Sequence, residues 1–254
     1  MILDLFNLDR KVALVTGASQ GLGRGMVLAL AEAGADVVGL DIVSSDETGE
    51  EVRALGHRYK KIVCDLRSAS VDDLNQIVAD IVTELGHLDI LVNNAGIIRR
   101  TPALDFSEAD WDDVLQINLK AAFFLSQAAA RVMVPQEHGK IINVASMLSF
   151  QGGITVPSYT AAKSGIAGIT RALANEWAKH HINVNAIAPG YMATDNTAPL
   201  RADPERAPAI LERIPAGRWG TPDDLKGVIV FLASAAADYL QGAIIPVDGG
   251  WLTR

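Results

Sequence analysis

Tyr159 and Lys163 stand four residues apart in the stretch SYTAAKSG, among the small residues Ala161, Ala162 and Gly165. On a helix that spacing puts both side chains on one face. A free phenol ionises near pH ~10, too high for a base at neutral pH. A nearby ammonium favours the phenolate. Such a pair can take the proton of an alcohol, or return one to the oxygen of a ketone. Small neighbours keep bulk off a face that must admit reactants. The competing reading is a helix whose tyrosine packs and whose lysine is solvated. Ser146, in NVASMLSF, follows an apolar run. Its hydroxyl can meet a carbonyl or alkoxide oxygen and stabilise developing charge. Ser149 competes for that role, and either serine could simply cap a turn.

A second group of residues suits a dinucleotide. VALVTGASQGLGRGM places Gly17, Gly21 and Gly23 between an apolar run and a helical pattern. Glycine permits a tight turn and lets backbone N–H groups approach a pyrophosphate at a helix N-terminus. A bare turn is the alternative. Asp41 closes the next apolar run, where a carboxylate can accept from ribose hydroxyls and repels a 2′-phosphate. Gln20 is not basic and no cation follows Asp41, which favours NAD over NADP; Arg24 is the one cation placed to reach a phosphate. Asp65 closes the third run and could meet an adenine amino group or cap a helix. In NNAG, Gly96 allows close backbone approach and Asn94 ties neighbouring strands together. Asn118 lies inside the helical pattern WDDVLQINLKAAFF, where asparagine is a poor choice without a reason; a structural asparagine bonding a neighbouring carbonyl is one alternative.

Both groups need a scaffold. Apolar runs recur as KVALVTG, DVVGLD, KKIVCDL, DILVNNAG, KIINVAS, INVNAIAPG and AIIPVDGG, separated by helical patterns. Continuous rather than alternating hydrophobicity means that both sheet faces are covered. Strand–helix alternation predicts right-handed crossovers. The expected fold is α/β, a doubly wound Rossmann fold with a seven-stranded parallel sheet, in one domain over residues 1–254. The segment from about 192 to 218 carries Pro199, Pro204, Pro208 and Pro215 and is the expected substrate lid.

Composition narrows the function class. The chain has 22 basic and 30 acidic residues and a net charge of −8, so no basic stripe for nucleic acid is expected. No apolar stretch approaches the ~18 residues of a membrane span, and the N-terminus lacks a secretory pattern, so a cytoplasmic protein is expected. The single cysteine, Cys64, reads as a buried strand thiol. The five histidines form no metal-ligand set, and no metal is expected.

The order and spacing of TGASQGLG, NNAG, Asn118, Ser146, Tyr159, Lys163 and PGYMAT resemble the short-chain dehydrogenase/reductase family over nearly the whole chain. The resemblance implies NAD(P)-linked interconversion of a secondary alcohol and a ketone, with Asn118, Ser146, Tyr159 and Lys163 as the catalytic set. The thirteen-residue spacing to Tyr159 selects Ser146 over Ser149. Asn118 is implied to bind a water that links Lys163 to solvent, and Lys163 to hold the nicotinamide ribose. The implied cofactor site takes in Gly17, Ser19, Gln20, Gly21, Leu22 and Gly23, then Asp41, Asp65 and Leu66. It continues through Asn93, Ala95, Gly96, Tyr159 and Lys163 to Pro189, Gly190, Met192 and Thr194, the segment expected at the carboxamide.

Within the family the likeness is to enzymes acting on sugar acids from pectin or uronate breakdown. A sugar acid needs a partner for its carboxylate. Arg99 and Arg100 follow NNAGII at the end of the fourth run, and one of them is expected to pair with it. A solvated loop pair or a subunit contact is the alternative. Gln151, Met147, Met192 and Arg218 are further pocket residues. The resemblance also implies a homotetramer with the tail around Trp251 packed on a partner subunit; burial in its own chain competes. Related reductases acting on gluconate or on 3-oxoacyl groups share this scaffold. A nucleotide sensor without turnover is the non-enzymatic alternative, opposed by the presence of all four catalytic residues.

Overall fold

The computed structural model describes all 254 residues. Elements follow in the order β1 (Val12–Thr16), α1 (Gly21–Glu32), β2 (Asp36–Asp41), α2 (Asp46–Ala54), β3 (Tyr59–Val63), α3 (Val71–Leu85), β4 (Ile90–Asn93), α4 (Glu108–Leu115), α5 (Ala121–Gln136), β5 (Gly139–Val144), α6 (Pro157–Trp177), β6 (Ile182–Pro189), α7 (Ala198–Ala202), α8 (Arg206–Arg213), α9 (Asp223–Ala233) and β7 (Ile244–Val247). All seven apolar runs are strands. They form one parallel sheet in the order β3-β2-β1-β4-β5-β6-β7.

Each sheet face is covered. One layer packs α1 and α9 on the sheet through Met26, Leu30, Leu225 and Ile229. The other packs α3 and α5 through Leu74, Val78, Leu125 and Met133. Strands buried on both faces account for the unbroken apolar runs. Chain order reverses between β1 and β4, so their carboxyl ends frame the crevice where such sheets bind ligands.

Two local departures from regular structure matter for the site. Between α4 and α5 the helix widens into a π turn, Gln116–Lys120, with Asn118 buried at its centre. The segment after β6 is more ordered than its prolines suggest. Ala193 N donates to Gly220 O (2.7 Å) and Gly220 N to Tyr191 O (2.9 Å), so the excursion leaves and returns at one point. Within it lie a 3-10 turn at Asp195–Thr197 and the helices α7 and α8. Asp203 separates the two helices by accepting from the N–H groups of Glu205 and Arg206.

Candidate active site

A cleft of about 580 Å³ opens at the carboxyl ends of β1 to β5. Its floor is the turn from β1 into α1. Gly17 (φ +69°) and Gly21 (φ +57°) are left-handed, a conformation that disfavours any side chain. At Gly23 a Cβ would stand 1.8 Å from Gly17 O, so the helix start can lie this close to the turn only with glycine there. Beside Gly21 the nearest atom to a hypothetical Cβ is in Thr194 at 3.8 Å, which leaves an open cradle over the α1 N-terminus. Exposed N–H groups and the positive helix end make that cradle a fit for a pyrophosphate.

Ser19, Gln20, Leu22, Asp41, Asp65, Leu66, Ala95, Gly96 and Thr194 line the same cleft, as the resemblance implies. Asp41 is held by Ser19 N (2.9 Å) and Ile42 N (2.7 Å). The exposed residues after it, Ile42 and Val43, are apolar and offer a phosphate nothing. Arg24 is ion-paired with Glu51 and stands outside the cleft lining. Asp65 lines the cleft and accepts from Arg67 N (2.9 Å) in a local turn, while α3 is capped by Ser70 instead. Asn94 Nδ2 donates to Thr16 O (2.9 Å) and Gly17 O (3.2 Å), tying β4 to β1. Thr16 Oγ1 in turn accepts from the N–H groups of Asn94 and Ala95, which fixes the loop edge.

Several expected cofactor residues lie elsewhere. Asn93 is buried under the sheet, its Nδ2 donating to Ser126 Oγ (2.9 Å) and Asn143 Oδ1 (2.9 Å). Pro189 pairs with Val247 in the sheet, and a Cβ on Gly190 would stand 2.5 Å from Asp248 Cα. Met192 is buried with its sulfur against Gly220. Packing against Gly220 buries Met192, and Thr194 is the residue of PGYMAT that lines the cleft.

Tyr159 and Lys163 lie on α6 and face the cleft together. Burial pushes the Tyr159 phenol above its ordinary range; the Ser146 hydroxyl and the Arg100 guanidinium pull it back down. Lys163 is buried, and desolvation lowers its pKa to about 8. Its Nζ donates to Val144 O at 2.5 Å and stands 5.6 Å from the Tyr159 ring centroid. Serine and Arg100 lower the phenol pKa here, while the lysine is turned to the end of β5. Ser146 Oγ also accepts from Leu148 N (3.2 Å), starting a 3-10 turn at Met147–Ser149. Ser149 Oγ donates to Lys163 O (2.6 Å) and is taken up in holding α6.

The Asn118 side-chain amide is fully engaged with the main chain. Its Oδ1 accepts from Ile97 N (2.8 Å) and its Nδ2 donates to Ile97 O (2.8 Å). Both ends of the amide clamp the loop that leads to Arg100, so a relay water would have to meet the main chain instead.

The two arginines part company. Arg99 pairs with Asp110 (3.1 Å) and Asp113 (3.6 Å) on α4. Arg100 lines the cleft, and its Nη2 donates to Asn196 O (3.4 Å) on the excursion. Arg218 is corrected as a pocket residue, because it forms a two-pronged pair with Asp224 at 2.8 and 2.6 Å. Met147 is buried beside Trp251, and Gln151 stands off the cleft with its N–H on Met147 O (3.2 Å). Trp251 is buried in its own chain rather than held for a partner.

Sequence reasoning missed Val144, Ile97 and Thr16, which act through backbone or as supports and carry no type signal. It also misplaced Cys64, which lies just past β3 in the cleft wall, partly exposed, with burial raising its thiol pKa.

Residues 17–252 match the family model for enoyl-(acyl carrier protein) reductase, within the short-chain dehydrogenases. The chain is 62% identical, over the full length of both proteins, to the 2-dehydro-3-deoxy-D-gluconate 5-dehydrogenase of Escherichia coli (strain K12). It is 61% identical to that of Dickeya dadantii (strain 3937), again over both full lengths. Among solved structures, a candidate 2-deoxy-D-gluconate 3-dehydrogenase from Agrobacterium tumefaciens with bound NADP superposes with a TM-score of 0.92 at 53% identity, covering 99% of this chain and 100% of that one.

Proposed function

This chain belongs to the short-chain dehydrogenase/reductase family and is an oxidoreductase, and we propose that it oxidises the secondary alcohol of 2-dehydro-3-deoxy-D-gluconate, or reduces the matching ketone, with NAD(H). The observation that carries the reading is a single cleft joining the glycine turn, Tyr159 and Arg100, which has no carboxylate partner. The cofactor, when bound, accepts or donates the hydride. Gly17 to Gly23 would hold its pyrophosphate, Asp41 its adenosine ribose, and Lys163 its nicotinamide ribose.

The chain's own residues handle the proton and the substrate. Tyr159 takes the hydroxyl proton as the C–H bond breaks, and returns it in the reverse direction. Ser146 orients the substrate oxygen and supports its developing charge. Arg100 pairs with the carboxylate and at the same time favours the phenolate. The excursion over residues 192–218 closes over the substrate, with Thr194 and Asn196 at the cleft.

Asp41, with Ile42 and Val43 after it and Arg24 engaged by Glu51, supports NAD. The relative crystallised with NADP supports the second reading, in which both cofactors serve. Initial rates with each cofactor on 2-dehydro-3-deoxy-D-gluconate, beside gluconate as rival, decide the matter. NAD-linked turnover that disappears in Tyr159→Phe supports the reading; turnover of gluconate alone overturns the substrate.

We further infer a homotetramer working in the cytoplasm in the breakdown of pectin-derived sugar acids. An exposed groove floored by Leu119 of the π turn, Phe123 and Phe124 on α5 and Ile169 on α6 supports subunit association. The unpaired Cys64 suits a reducing compartment.

A further inference from the structure

The two halves of the excursion are held very differently. Its front half, the 3-10 turn and α7, contains no buried residue and carries Thr194, Asn196 and Thr197 to the cleft. Its long-range tether there is the 3.4 Å bond from Arg100 to Asn196 O. The rear half, α8 and the chain after it, is clasped by residues 248–254. Arg254 donates from Nη2 to Glu212 O (2.6 Å) and from Nε to Arg213 O (3.3 Å), covering two carbonyls at the α8 C-terminus. Ala216 N donates to Gly249 O (2.9 Å). The Arg213 guanidinium lies 3.9 Å over the Trp251 ring.

Trp251 is 4% exposed and sits at the centre of this clasp. Its ring meets Tyr191 at 4.7 Å, and Tyr191 meets Trp219 at 5.4 Å, both edge to face. Ile210, Ile214 and Met147, the residue after Ser146, complete the cluster. The indole N–H has no acceptor, so the ring is held by packing and by the Arg213 guanidinium over its face. Asp248 fixes the tail's turn by accepting from Gly250 N (2.9 Å) and Leu252 N (2.9 Å). Gly249 is left-handed, and a Cβ there would stand 2.9 Å from Ile214.

We propose that Trp251 and Arg254 are positioning residues: the C-terminal tail is a fixed strut for α8, from which the 195–202 segment closes over the substrate, so the tail sets substrate affinity ahead of cofactor affinity. The proposal rests on the sugar-acid reading above. A cluster that joins Met147 to α8 ties the lid to the wall bearing Ser146. No tail residue reaches the glycine turn.

The test uses the full-length protein and the variants Arg254→Ala, Trp251→Ala and Trp251→Phe. Arg254 is exposed, so removing its side chain leaves the fold intact. Expected is a rise of about tenfold in KM for 2-dehydro-3-deoxy-D-gluconate in both alanine variants, with kcat and the NADH dissociation constant held. Trp251→Phe, which keeps a ring in the cluster, retains the wild-type KM. Amide exchange over residues 206–213 accelerates in Arg254→Ala while β1 to β5 stay protected. Unchanged exchange in α8, unchanged KM in Arg254→Ala, or NADH affinity falling in step with KM each overturns the strut. If the wild-type protein does not turn over the sugar acid, the substrate reading fails, and the exchange of α8 alone decides whether the tail anchors it.

Discussion

Lys163 Nζ and Val144 O are joined by a 2.5 Å hydrogen bond at the end of β5, inside a wall where the lysine is 4% exposed. Burial costs the ammonium its hydration and brings its pKa from 10.5 down to about 8. The unfolded chain therefore binds more protons between about pH 8 and 10.5, and folding gains stability from this group as pH rises through that window. Below it the full penalty stands, on the order of 3 kcal/mol. Denaturant midpoints of the wild type and Lys163→Met at pH 7 and pH 10 should converge at the higher pH once the lysine is neutral. A gap that stays constant would mean that the lysine remains charged in the native cleft.

The Tyr159 phenol is raised by burial, so the base form is scarce at neutral pH. Alcohol oxidation should climb with pH above neutrality, while ketone reduction should not. Tyr159→Phe should lower kcat by about 10²–10⁴ and leave NADH binding intact. A pH profile for oxidation that is flat above pH 7 in the wild type would remove the phenol from the rate-limiting proton transfer.

Arg100 and Arg99 should separate cleanly under mutation. Arg100→Ala should raise KM for the sugar acid by one to two orders of magnitude, the range of a charge-assisted pair of about 1.5–3 kcal/mol. It should also move the oxidation profile to higher pH, because Arg100 lowers the phenol pKa. Arg99→Ala breaks half-exposed pairs to Asp110 and Asp113 and should cost only about 0–1 kcal/mol of stability, with KM unchanged. Equal kinetics in both variants would place the carboxylate elsewhere.

Asp41→Ser should raise kcat/KM with NADP relative to NAD, because it removes the charge that a 2′-phosphate would meet. The ratio of the two specificity constants is the readout, and a ratio that does not move would show that the preference is set away from Asp41.

Gly23→Ala tests the cradle. Its Cβ would press on Gly17 O at 1.8 Å, which forces the α1 start away from the turn. Nucleotide affinity should fall by at least an order of magnitude in a titration of NADH fluorescence, a loss of about 1.4 kcal/mol or more. Unaltered affinity would mean that the turn does not bear the pyrophosphate.

The sheet was legible because strands buried on both faces leave unbroken apolar runs, and the glycine turn because its glycines are required by backbone geometry. Tyr159 and Lys163 were legible from helical spacing. What adjacent residues do was not. Arg99 and Arg100 share type and neighbourhood, and only the placement of α4 gives one of them two carboxylates. Met192 and Thr194 lie two apart, yet packing against Gly220 buries the first. The role of Trp251 depends on α8, which meets it only in the folded chain. Asn118 was flagged as a misfit in a helix, but its amide proved to clamp Ile97.

That misfit has a genetic corollary. The π turn at Gln116–Lys120 holds one residue more than an ordinary helix would over the same path. Removing the codon for Gln116 or for Ile117 would let α4 run straight into α5 with better hydrogen bonding, and would swing Asn118 about 100° around the axis, away from Ile97. The loop that carries Gly96 and Arg100 would lose its clamp while the sheet beneath it stayed whole. A single in-frame deletion at this spot is thus a route by which a descendant of this chain could keep its architecture and retire from catalysis.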